Sequence, residues 1–283
     1  MNIALFADGL WGLNILKYIL RSKSLKLKFL CVRQKETLPA LKVFAKKNNI
    51  KVFKVKNVNS KKFILEIKKF KINLVVSMSF NQIFNENFLE NNKVINCHAG
   101  MLPFYRGRNP INWAIINGEK FYGVTIHFVD KNIDTGDIIL QKKYRIFKND
   151  TYKTILNKSA SRCSNLLSKA IFLLSKKNNK LKIVKQKSIS KKGSYFFKRK
   201  PGDEIIDLNL KIEQLINFVR GLVHPGPYAV LKNKNKYYKV ISAKKVNYNK
   251  RKKNLYNNVI EINSKFAVVN CSDGFVKLNF LKK

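Results

Sequence analysis

The sequence of 283 residues has few cysteines, few acidic residues and no long apolar segment. Its four cysteines lie far apart and form no CxxC pair, so we expect neither a structural zinc site nor a disulfide framework. No apolar run approaches the ~20 residues of a membrane-spanning helix. Residues 1–13 have no basic segment and contain Asp8, which argues against a signal peptide. We therefore expect a protein of the reducing cytoplasm without a membrane partner.

Acidic residues are scarce: 16 Asp and Glu stand against 58 Lys and Arg, a net charge of +42. Only nine of the basic residues are Arg, the residue that nucleic-acid surfaces use for bidentate contacts. Lys, Asn and Ile are all frequent, and all have AT-rich codons, so a drifting AT-rich genome enriches them without selection for binding. We interpret the charge as mostly compositional. An RNA or polyanion partner stays an alternative, because any cation-rich surface attracts phosphate.

The N-terminal half alternates strand-like and helix-like segments, and 45% hydrophobic residues suffice for a sizeable core. The predicted strands are Asn2–Phe6, Lys26–Val32, Lys51–Val55, Ile72–Ser77 and Val94–His98. The predicted helices between them are Leu10–Leu20, Leu38–Asn48 and Phe63–Phe70. This order predicts an α/β fold with a mixed, mostly parallel sheet and helices on both faces. Ligands of such folds bind beyond the C-terminal ends of the strands.

From Gly123 onward the pattern changes to two longer strands, Val124–Val129 and Ile138–Ile146. Asp150 is the expected N-cap of a long helix that ends near Ser175. The following residues 176–200 contain 11 Lys or Arg and no acid, which predicts an exposed basic connector around one short strand.

The last part of the chain predicts a small β-rich, barrel-like domain after one helix, Ile212–Leu222. Its predicted strands are Tyr228–Leu231, Tyr237–Ala243, Val259–Ile262, Ala267–Cys271 and Phe275–Leu281. The low-complexity segment Tyr248–Asn258 is expected to be a long loop. We place the domain boundary so that residues 1–195 form the first domain and residues 196–283 the second.

The residues best suited to chemistry begin at the end of the strand Val94–His98. Asn96 and His98 share one face of this strand, and Cys97 points to the other. An amide can donate a hydrogen bond to a developing oxyanion, and an imidazole can transfer a proton near neutral pH. A capped strand end with a hydrogen-bonded histidine is an equal alternative at this point.

Two loops follow this strand. Ala99–Arg108 contains a proline, two aromatic residues and two arginines, and it can present N–H groups and a guanidinium to a polar or anionic ligand. Asn109 and Pro110 then predict the cap and first position of a short helix. The loop Asp130–Asp137 holds three acids but lacks the ligand spacing of a calcium loop. A carboxylate beside a histidine orients its ring and raises its basicity.

Five motifs follow one another in a fixed order over about forty residues: Asn96-x-His98, Leu102-Pro103, Arg106-Gly107, Gly123-Val124-Thr125-Ile126 and Ile133-Asp134-Thr135-Gly136. In order and spacing they resemble the formyltransferase family that uses 10-formyltetrahydrofolate. A weaker likeness extends over the second domain, through Phe197–Pro201 with Ile205–Asp207 and through Phe218–Arg220 followed by His224–Pro227.

The resemblance implies a Rossmann-like catalytic domain and a catalytic trio of Asn96, His98 and Asp134. It implies 10-formyltetrahydrofolate as formyl donor and co-substrate, with no metal. The implied donor-binding residues are Ser77, Met78, Phe80, Ile83, Leu102, Val129 and Asp130. The glycines of the first turn do not make a GxGxxG motif, so we do not propose NAD.

Family members formylate methionyl-tRNA, a purine precursor or nucleotide-linked sugars, and some are hydrolases. The tRNA enzymes typically carry a basic insertion after the second strand, which is absent where Cys31–Pro39 leads directly into the next helix. The run from Arg108 to Glu119 resembles the sugar N-formyltransferases instead. We therefore expect a 4-amino sugar on a nucleoside diphosphate as acceptor, with methionyl-tRNA as the alternative.

An acceptor with a diphosphate and a base is expected to be bound by cationic and aromatic side chains. Arg106, Arg199 or one of the many lysines is expected to bind the diphosphate, and Phe104 or Tyr105 to stack on the base or the sugar. Plain packing is an equal alternative for Tyr105. The second domain's resemblance to acceptor-using members disfavours a hydrolase. An RNA-binding protein that has merely kept the fold is disfavoured by the intact trio. Because sugar-modifying members are often dimers, a homodimer is a further expectation.

Overall fold

The computed structural model describes residues 1–35, 38–176, 181–248 and 258–282. The chain divides into two compact units, and neither is continuous in sequence. Unit 1 comprises Met1–Gly107, Gly123–Tyr144 and Lys158–Tyr195, and unit 2 comprises Arg108–Tyr122, Arg145–Asn157 and Phe196–Lys283. Two segments of the first 195 residues therefore belong to the second unit. Our domain boundary between residues 195 and 196 stays a prediction.

The first elements are β1 (Asn2–Ala7), α1 (Gly9–Arg21), β2 (Lys26–Cys31), α2 (Pro39–Lys47), β3 (Val52–Phe53), α3 (Lys61–Lys68), β4 (Leu74–Met78), α4 (Glu86–Asn91), β5 (Val94–His98), β6 (Arg106–Gly107), α5 (Pro110–Ile116), β7 (Phe121–Phe128) and β8 (Ile138–Arg145). They are followed by α6 (Tyr152–Ser175), α7 (Gln186–Ile189), β9 (Tyr195–Phe196), α8 (Ile212–Gly221), β10 (Ala229–Asn233), β11 (Lys236–Val246), β12 (Val259–Ile262), β13 (Phe266–Cys271) and β14 (Gly274–Phe280).

Unit 1 is built on a seven-stranded sheet with the order β3-β2-β1-β4-β5-β7-β8. The strands from β1 to β5 pair in parallel, and β7 runs antiparallel to β5. The predicted mixed, mostly parallel sheet is therefore confirmed. β1 and β4 are almost continuously buried, as expected for strands covered on both faces. The strand order changes direction beside β1 and β4, so the ends of β4 and β5 lie where such sheets bind ligands.

A cluster of phenylalanines fills the core beside β1 and β4. The ring of Phe6 meets those of Phe29, Phe63, Phe84 and Phe88 edge to face, with centroids 5.3 to 6.3 Å apart. Such pairs add roughly 0.5–1.5 kcal/mol each beyond the burial of their area. This packing holds the central strands in place behind the site described below.

Unit 2 contains the predicted C-terminal β-rich domain. Five antiparallel strands lie in the order β10-β11-β14-β13-β12, and the apolar face of α8 packs against them. Leu215 and Val219 of α8 share one buried cluster with Val240, Val269 and Leu278 of the strands. The alternation of buried and partly buried residues along β14 explains why the sequence pattern located these strands.

Several local expectations need correction. Thr151, and not Asp150, caps α6, because its hydroxyl accepts from the N–H of Thr154. Asp150 instead accepts from the N–H of Phe147 and from the Thr154 hydroxyl.

Asn109 precedes α5 as expected, but it has a left-handed φ of 54° and its side chain makes no cap bond. The elements α4, β6 and α7 were not predicted, and most of the predicted loop 248–258 lies outside the described residues.

The basic segment after α6 is more than an exposed connector. Val184 forms a β-bridge to Ile138, and β9 pairs with β6. Gln186 is buried although both of its neighbours are exposed lysines. The lysine-rich pattern predicted that this segment is exposed, but it did not predict the polar and backbone contacts that the segment makes.

Candidate active site

Two adjacent strands bring an amide and two imidazoles together. The antiparallel register of β5 and β7 sets Asn96 opposite His127 and His98 opposite Thr125. The Nδ2 atom of Asn96 lies 3.3 Å from Nε2 of His127. Asn96 and His98 therefore sit on the same face of the sheet as His127, at its C-terminal edge.

Cys97 lies between Asn96 and His98 and points to the opposite face. Its thiol is buried, with Sγ 3.9 Å from the carbonyl oxygen of Cys163. Burial raises the pKa of the Cys97 thiol well above its usual value, and the neighbouring thiol of Cys163 raises it further. A thiol in this state is a poor nucleophile, so Cys97 is unsuited to covalent chemistry.

The carboxylate of Asp134 faces both imidazoles. Its Oδ2 lies 3.5 Å from Nδ1 of His98, and its Oδ1 lies 3.4 Å from Nε2 of His127. The backbone N–H of Gly107 donates to Oδ2 at 2.9 Å. Burial by itself raises the pKa of this carboxyl, but the charge of protonated His98, the hydrogen bond and charge of protonated His127, and the N–H of Gly107 together hold it well below its usual value. Asp134 is therefore ionised at neutral pH.

The ring of His98 is oriented by a backbone carbonyl. Its Nε2 donates a hydrogen bond to the carbonyl oxygen of Tyr105 at 2.6 Å. A carbonyl oxygen can only accept, so in the neutral ring the proton belongs to Nε2 and the lone pair to Nδ1. Nδ1 is the nitrogen that faces Asp134. A proton accepted there is stabilised by the carboxylate.

Gly100 is required for this arrangement. A Cβ atom at position 100 would lie 2.5 Å from Nε2 of His98 and 2.7 Å from the carbonyl oxygen of Tyr105. The loop is pinned further by Thr125, whose hydroxyl donates to the carbonyl oxygen of Gly100 at 2.7 Å. Gln141 donates from Nε2 to the carbonyl oxygen of Leu102 at 2.8 Å. Together these bonds hold the backbone beside His98.

His127 is a residue that our sequence reasoning missed. Its Nδ1 lies 2.7 Å from the carbonyl oxygen of Phe128, to which it donates. Its Nε2 accepts from Asn96 when the ring is neutral and donates to Asp134 when the ring is protonated. The available signal was period-two alternation: His127 falls two residues after Thr125 on a predicted strand. Nothing in the pattern gave the antiparallel register that sets it opposite Asn96.

The residues expected to bind the formyl donor fall into different environments. Ser77 and Met78 are buried at the end of β4, beside Asn96 and Cys97 of β5. Phe80 and Val129 are partly buried against the phenylalanine core, and Leu102 is fully buried. Ile83 is 62% exposed. Asp130 braces its own loop, with Oδ1 accepting from the hydroxyl of Thr135 at 2.6 Å.

The residues expected to bind the acceptor also differ in their surroundings. Phe104 is 41% exposed, whereas Tyr105 contributes its backbone, which accepts from His98 and donates to the Ser194 hydroxyl. Arg106 donates to Gln186. Arg199 belongs to unit 2, where its Nη1 is buried without a hydrogen-bond partner among the described residues.

The geometry defines a class of site. A carbonyl carbon held beside Asn96 can be attacked by an amine whose proton passes to His98 and Asp134. Among the described residues no group of three His, Cys, Asp or Glu side chains is placed to hold a metal ion. No helix in the described parts of the chain is long and apolar enough to cross a bilayer.

Comparison with known families agrees with this class. Residues 22–171 match the model of the formyl transferase family, and residues 198–283 match that of the formyl transferase C-terminal domain. The chain belongs to the formyl transferase family.

Two relatives illustrate its breadth. The chain is 37% identical over 186 residues to the bifunctional polymyxin resistance protein ArnA of Wigglesworthia glossinidia brevipalpis, a match that covers 65% of this chain and 28% of that protein. It is 33% identical over 251 residues to the methionyl-tRNA formyltransferase of Fusobacterium nucleatum, covering 86% of this chain and 77% of that protein.

Among solved structures, the fold is similar to that of WlaRD, a sugar 3N-formyl transferase crystallised in the presence of dTDP and 5-N-formyl-THF. The TM-score is 0.71 at 24% identity, and the match covers 100% of this chain and 98% of that one. At this identity the likeness establishes the fold alone.

Proposed function

We propose that this protein transfers a formyl group from 10-formyltetrahydrofolate to the primary amine of an amino sugar linked to a nucleoside diphosphate. The observation that carries the proposal is the meeting of Asn96, His98 and Asp134 at the ends of β5 and the loop after β7. Family membership along both halves of the chain supports formyl transfer as the reaction.

Asn96 acts on the oxygen of the formyl group. The amine nitrogen attacks the formyl carbon, a new C–N bond forms, and negative charge develops on the oxygen. One N–H of the Asn96 amide is directed to His127, and the second, which has no partner among the described residues, is proposed to donate to that oxygen. A donor of this kind contributes about 10²–10³ in rate.

His98 and Asp134 handle the proton. Nδ1 of His98 accepts the proton of the attacking amine, and the ionised Asp134 stabilises the imidazolium across 3.5 Å. The bond between the formyl carbon and N10 of the donor then breaks, and the proton is returned to N10. His127 offers a second route for the proton, since its Nε2 lies 3.4 Å from the other oxygen of Asp134.

The expected donor pocket has suitable chemistry for a folate. Phe80 and Val129 are partly buried apolar side chains, and both pack on the cluster behind β4. The loop that Asp130 and Thr135 brace offers backbone polar groups to the edge of a pterin ring. A bound folate supplies the activated formyl group, and these residues orient it against Asn96.

Three observations favour a nucleotide-linked sugar as acceptor. β2 ends at Cys31 and α2 begins at Pro39, which leaves no room for the insertion typical of the tRNA enzymes. The Nη1 atom of Arg199, which is buried and has no hydrogen-bond partner among the described residues, is suited to an anionic oxygen such as that of a diphosphate. WlaRD, whose fold is similar, is a sugar 3N-formyl transferase. The position of the amine on the sugar is part of the proposal, and we keep the 4-amino sugar as our expectation.

A methionyl-tRNA acceptor is the second candidate. It is supported by sequence, because the relative from Fusobacterium nucleatum matches 86% of the chain and is a methionyl-tRNA formyltransferase. A net charge of +42 also suits a polyanionic substrate.

A competition assay tests the proposal. Purified protein and 10-formyltetrahydrofolate are incubated with nucleotide-linked 3-amino and 4-amino sugars in one arm and with methionyl-tRNA in the other, and tetrahydrofolate and formylated product are measured. We expect kcat/KM to favour a sugar by at least about tenfold. Transfer to tRNA alone overturns the sugar acceptor. Formate release without formylated product overturns amine transfer, and His98→Ala is the inactive control.

A further inference from the structure

Gln186 makes four hydrogen bonds to two loops of the site. Its Oε1 accepts from Nε and Nη2 of Arg106 at 3.1 and 2.7 Å. Its Nε2 donates to the carbonyl oxygens of Asp134 and Gly136, both at 2.8 Å. The side chain is only 3% exposed. A glutamine amide has two donor hydrogens and two acceptor positions, so all four are used.

The orientation of this amide is determined by its partners. Rotation by 180° would direct its two N–H groups at the guanidinium of Arg106 and its oxygen at two carbonyl oxygens. All four contacts would become repulsive, so only one orientation is compatible with the surroundings. Gln186 is therefore a specific connector between a cation and a pair of carbonyls, a role that an apolar side chain of equal volume cannot fill.

Both of the connected loops need an external restraint. Asp134 has a left-handed φ of 55°, a conformation that residues other than glycine rarely adopt. Strained backbone of this kind persists only where its surroundings hold it. Arg106 follows Tyr105, whose carbonyl accepts from His98, and precedes Gly107, whose N–H donates to Asp134. Movement of either loop would change the distance between His98 and Asp134.

We propose that Gln186 is a positioning residue that couples the Arg106 guanidinium to the Asp134 loop and so holds Asp134 against His98. The inference rests on the proposed function, in which Asp134 stabilises the His98 imidazolium. It assigns a role in turnover to α7, which lies outside the motifs that carry the family resemblance. It also implies that the position of the Arg106 side chain affects turnover, independently of any contact that Arg106 makes with an anionic substrate.

Two substitutions separate coupling from simple packing. Gln186→Met keeps the volume and loses all four bonds, and we expect kcat to fall about 30- to 100-fold with less than a threefold change in KM for the formyl donor. Gln186→Glu keeps an acceptor for Arg106 but turns a carboxylate oxygen toward the carbonyls of Asp134 and Gly136. A similar loss of kcat is expected for this variant.

The control is Ser188→Ala in the same helix, where the hydroxyl donates only to the carbonyl oxygen of Lys185. It should leave kcat unchanged. Activity close to the wild type in Gln186→Met overturns the proposal. Recovery of activity in Gln186→Glu also overturns it, because the bond to Arg106 alone would then suffice. If Gln186→Met does not fold, Gln186→Asn, which retracts the amide by one methylene, takes its place with the same expectation.

A measurement without substrate keeps this inference separate from the proposed function. The chain has only three histidines, so histidine labelled with ¹³C and ¹⁵N gives three imidazole signals. In Gln186→Met we expect the signals of His98 and His127 to shift and that of His224, in unit 2, to stay in place. Unchanged signals of His98 and His127 overturn the coupling. If the wild type formylates neither a sugar nor tRNA, the proposed function fails, while the spectra still decide the role of Gln186.

Discussion

At the scale of single residues, the candidate site is defined by which atom of each side chain is already engaged. The Nε2–H of His98 is bound to the Tyr105 carbonyl, so its base is Nδ1. The Nδ1–H of His127 is bound to the Phe128 carbonyl, so Nε2 is left for Asn96 and Asp134. Asp134 is kept ionised by the N–H of Gly107 and, when the rings are protonated, by the charges of His98 and His127. This division of donors and acceptors makes a proton path that side-chain identities alone do not specify.

Removal of the proposed base or of its carboxylate should abolish most of the turnover. We expect His98→Ala and Asp134→Ala each to lower kcat/KM at least ~100-fold, since His98 accepts the transferred proton and Asp134 stabilises the resulting imidazolium. Steady-state kinetics on folded protein, verified by circular dichroism, checks this. Cys97→Ala is the matched control from the same strand and should be mild. Near wild-type turnover of either variant would exclude the trio, and an inactive Cys97→Ala enzyme would indicate thiol chemistry.

Gly100→Ala tests the orientation of His98 without touching an ionisable group. The added Cβ would lie 2.5 Å from Nε2 of His98 and displace the ring from the Tyr105 carbonyl. A misplacement of about 1 Å can cost on the order of 10²-fold in rate, so we expect a loss of kcat of that size with a small change in donor KM. Unaltered kcat would show that the bond between His98 and Tyr105 does not matter for turnover.

At the scale of elements, the position of each strand decides what its side chains can do. β7 runs antiparallel to β5, and the register alone brings His127 to Asn96. The loop after β7 then returns Asp134 to the same edge, and α7 restrains that loop from a segment 52 residues away. The sequence pattern predicted β5 with its observed bounds, whereas β7 begins three residues before the predicted Val124. The pattern could not predict the contacts of α7, because Gln186 stands among exposed lysines and carries no periodic signal.

Arg220 is the corresponding connector within unit 2. From α8 it donates to Oδ1 of Asn217 at 2.8 Å and to the carbonyl oxygens of Phe147 and Asp150 at 3.1 and 2.9 Å. We expect Arg220→Met to lower the free energy of unfolding by about 1–3 kcal/mol, because two carbonyls lose a charged donor. Arg21→Ala at the exposed end of α1 is the control and should change stability by less than about 0.5 kcal/mol. Chemical denaturation measures both, and equal stabilities would contradict the assigned role.

At the scale of the whole molecule, the excess of lysine is the property with the least defined role. Sixteen acidic residues cannot balance 58 basic ones, and self-repulsion weakens the compact state at low salt. A surface that has drifted in composition and a surface that binds a polyanion have the same net charge. They differ in their response to the removal of charge.

Replacing five exposed lysines of the basic segment by glutamine distinguishes the two. The positions are Lys182, Lys185, Lys187, Lys191 and Lys192. For a sugar acceptor at physiological salt we expect kcat/KM to change less than about threefold, since exposed charges are screened within ~8 Å. The melting temperature at low salt should be unchanged or higher. A loss of more than about tenfold would identify these lysines as part of a binding surface for a polyanion such as tRNA.

The sequence by itself determined most of the secondary structure, the mixed sheet, the C-terminal β-rich domain and the family. Those features depend on local periodicity and on motifs of contiguous residues, which a linear reading contains. Only the tertiary structure decided which atoms meet: His127 with Asn96, the Nε2 of His98 with a carbonyl oxygen, and Gln186 with two loops at once. The reason is that register, backbone conformation and buried polar contacts arise between residues that are distant in the chain, and their donors and acceptors are assigned only when the chain has folded.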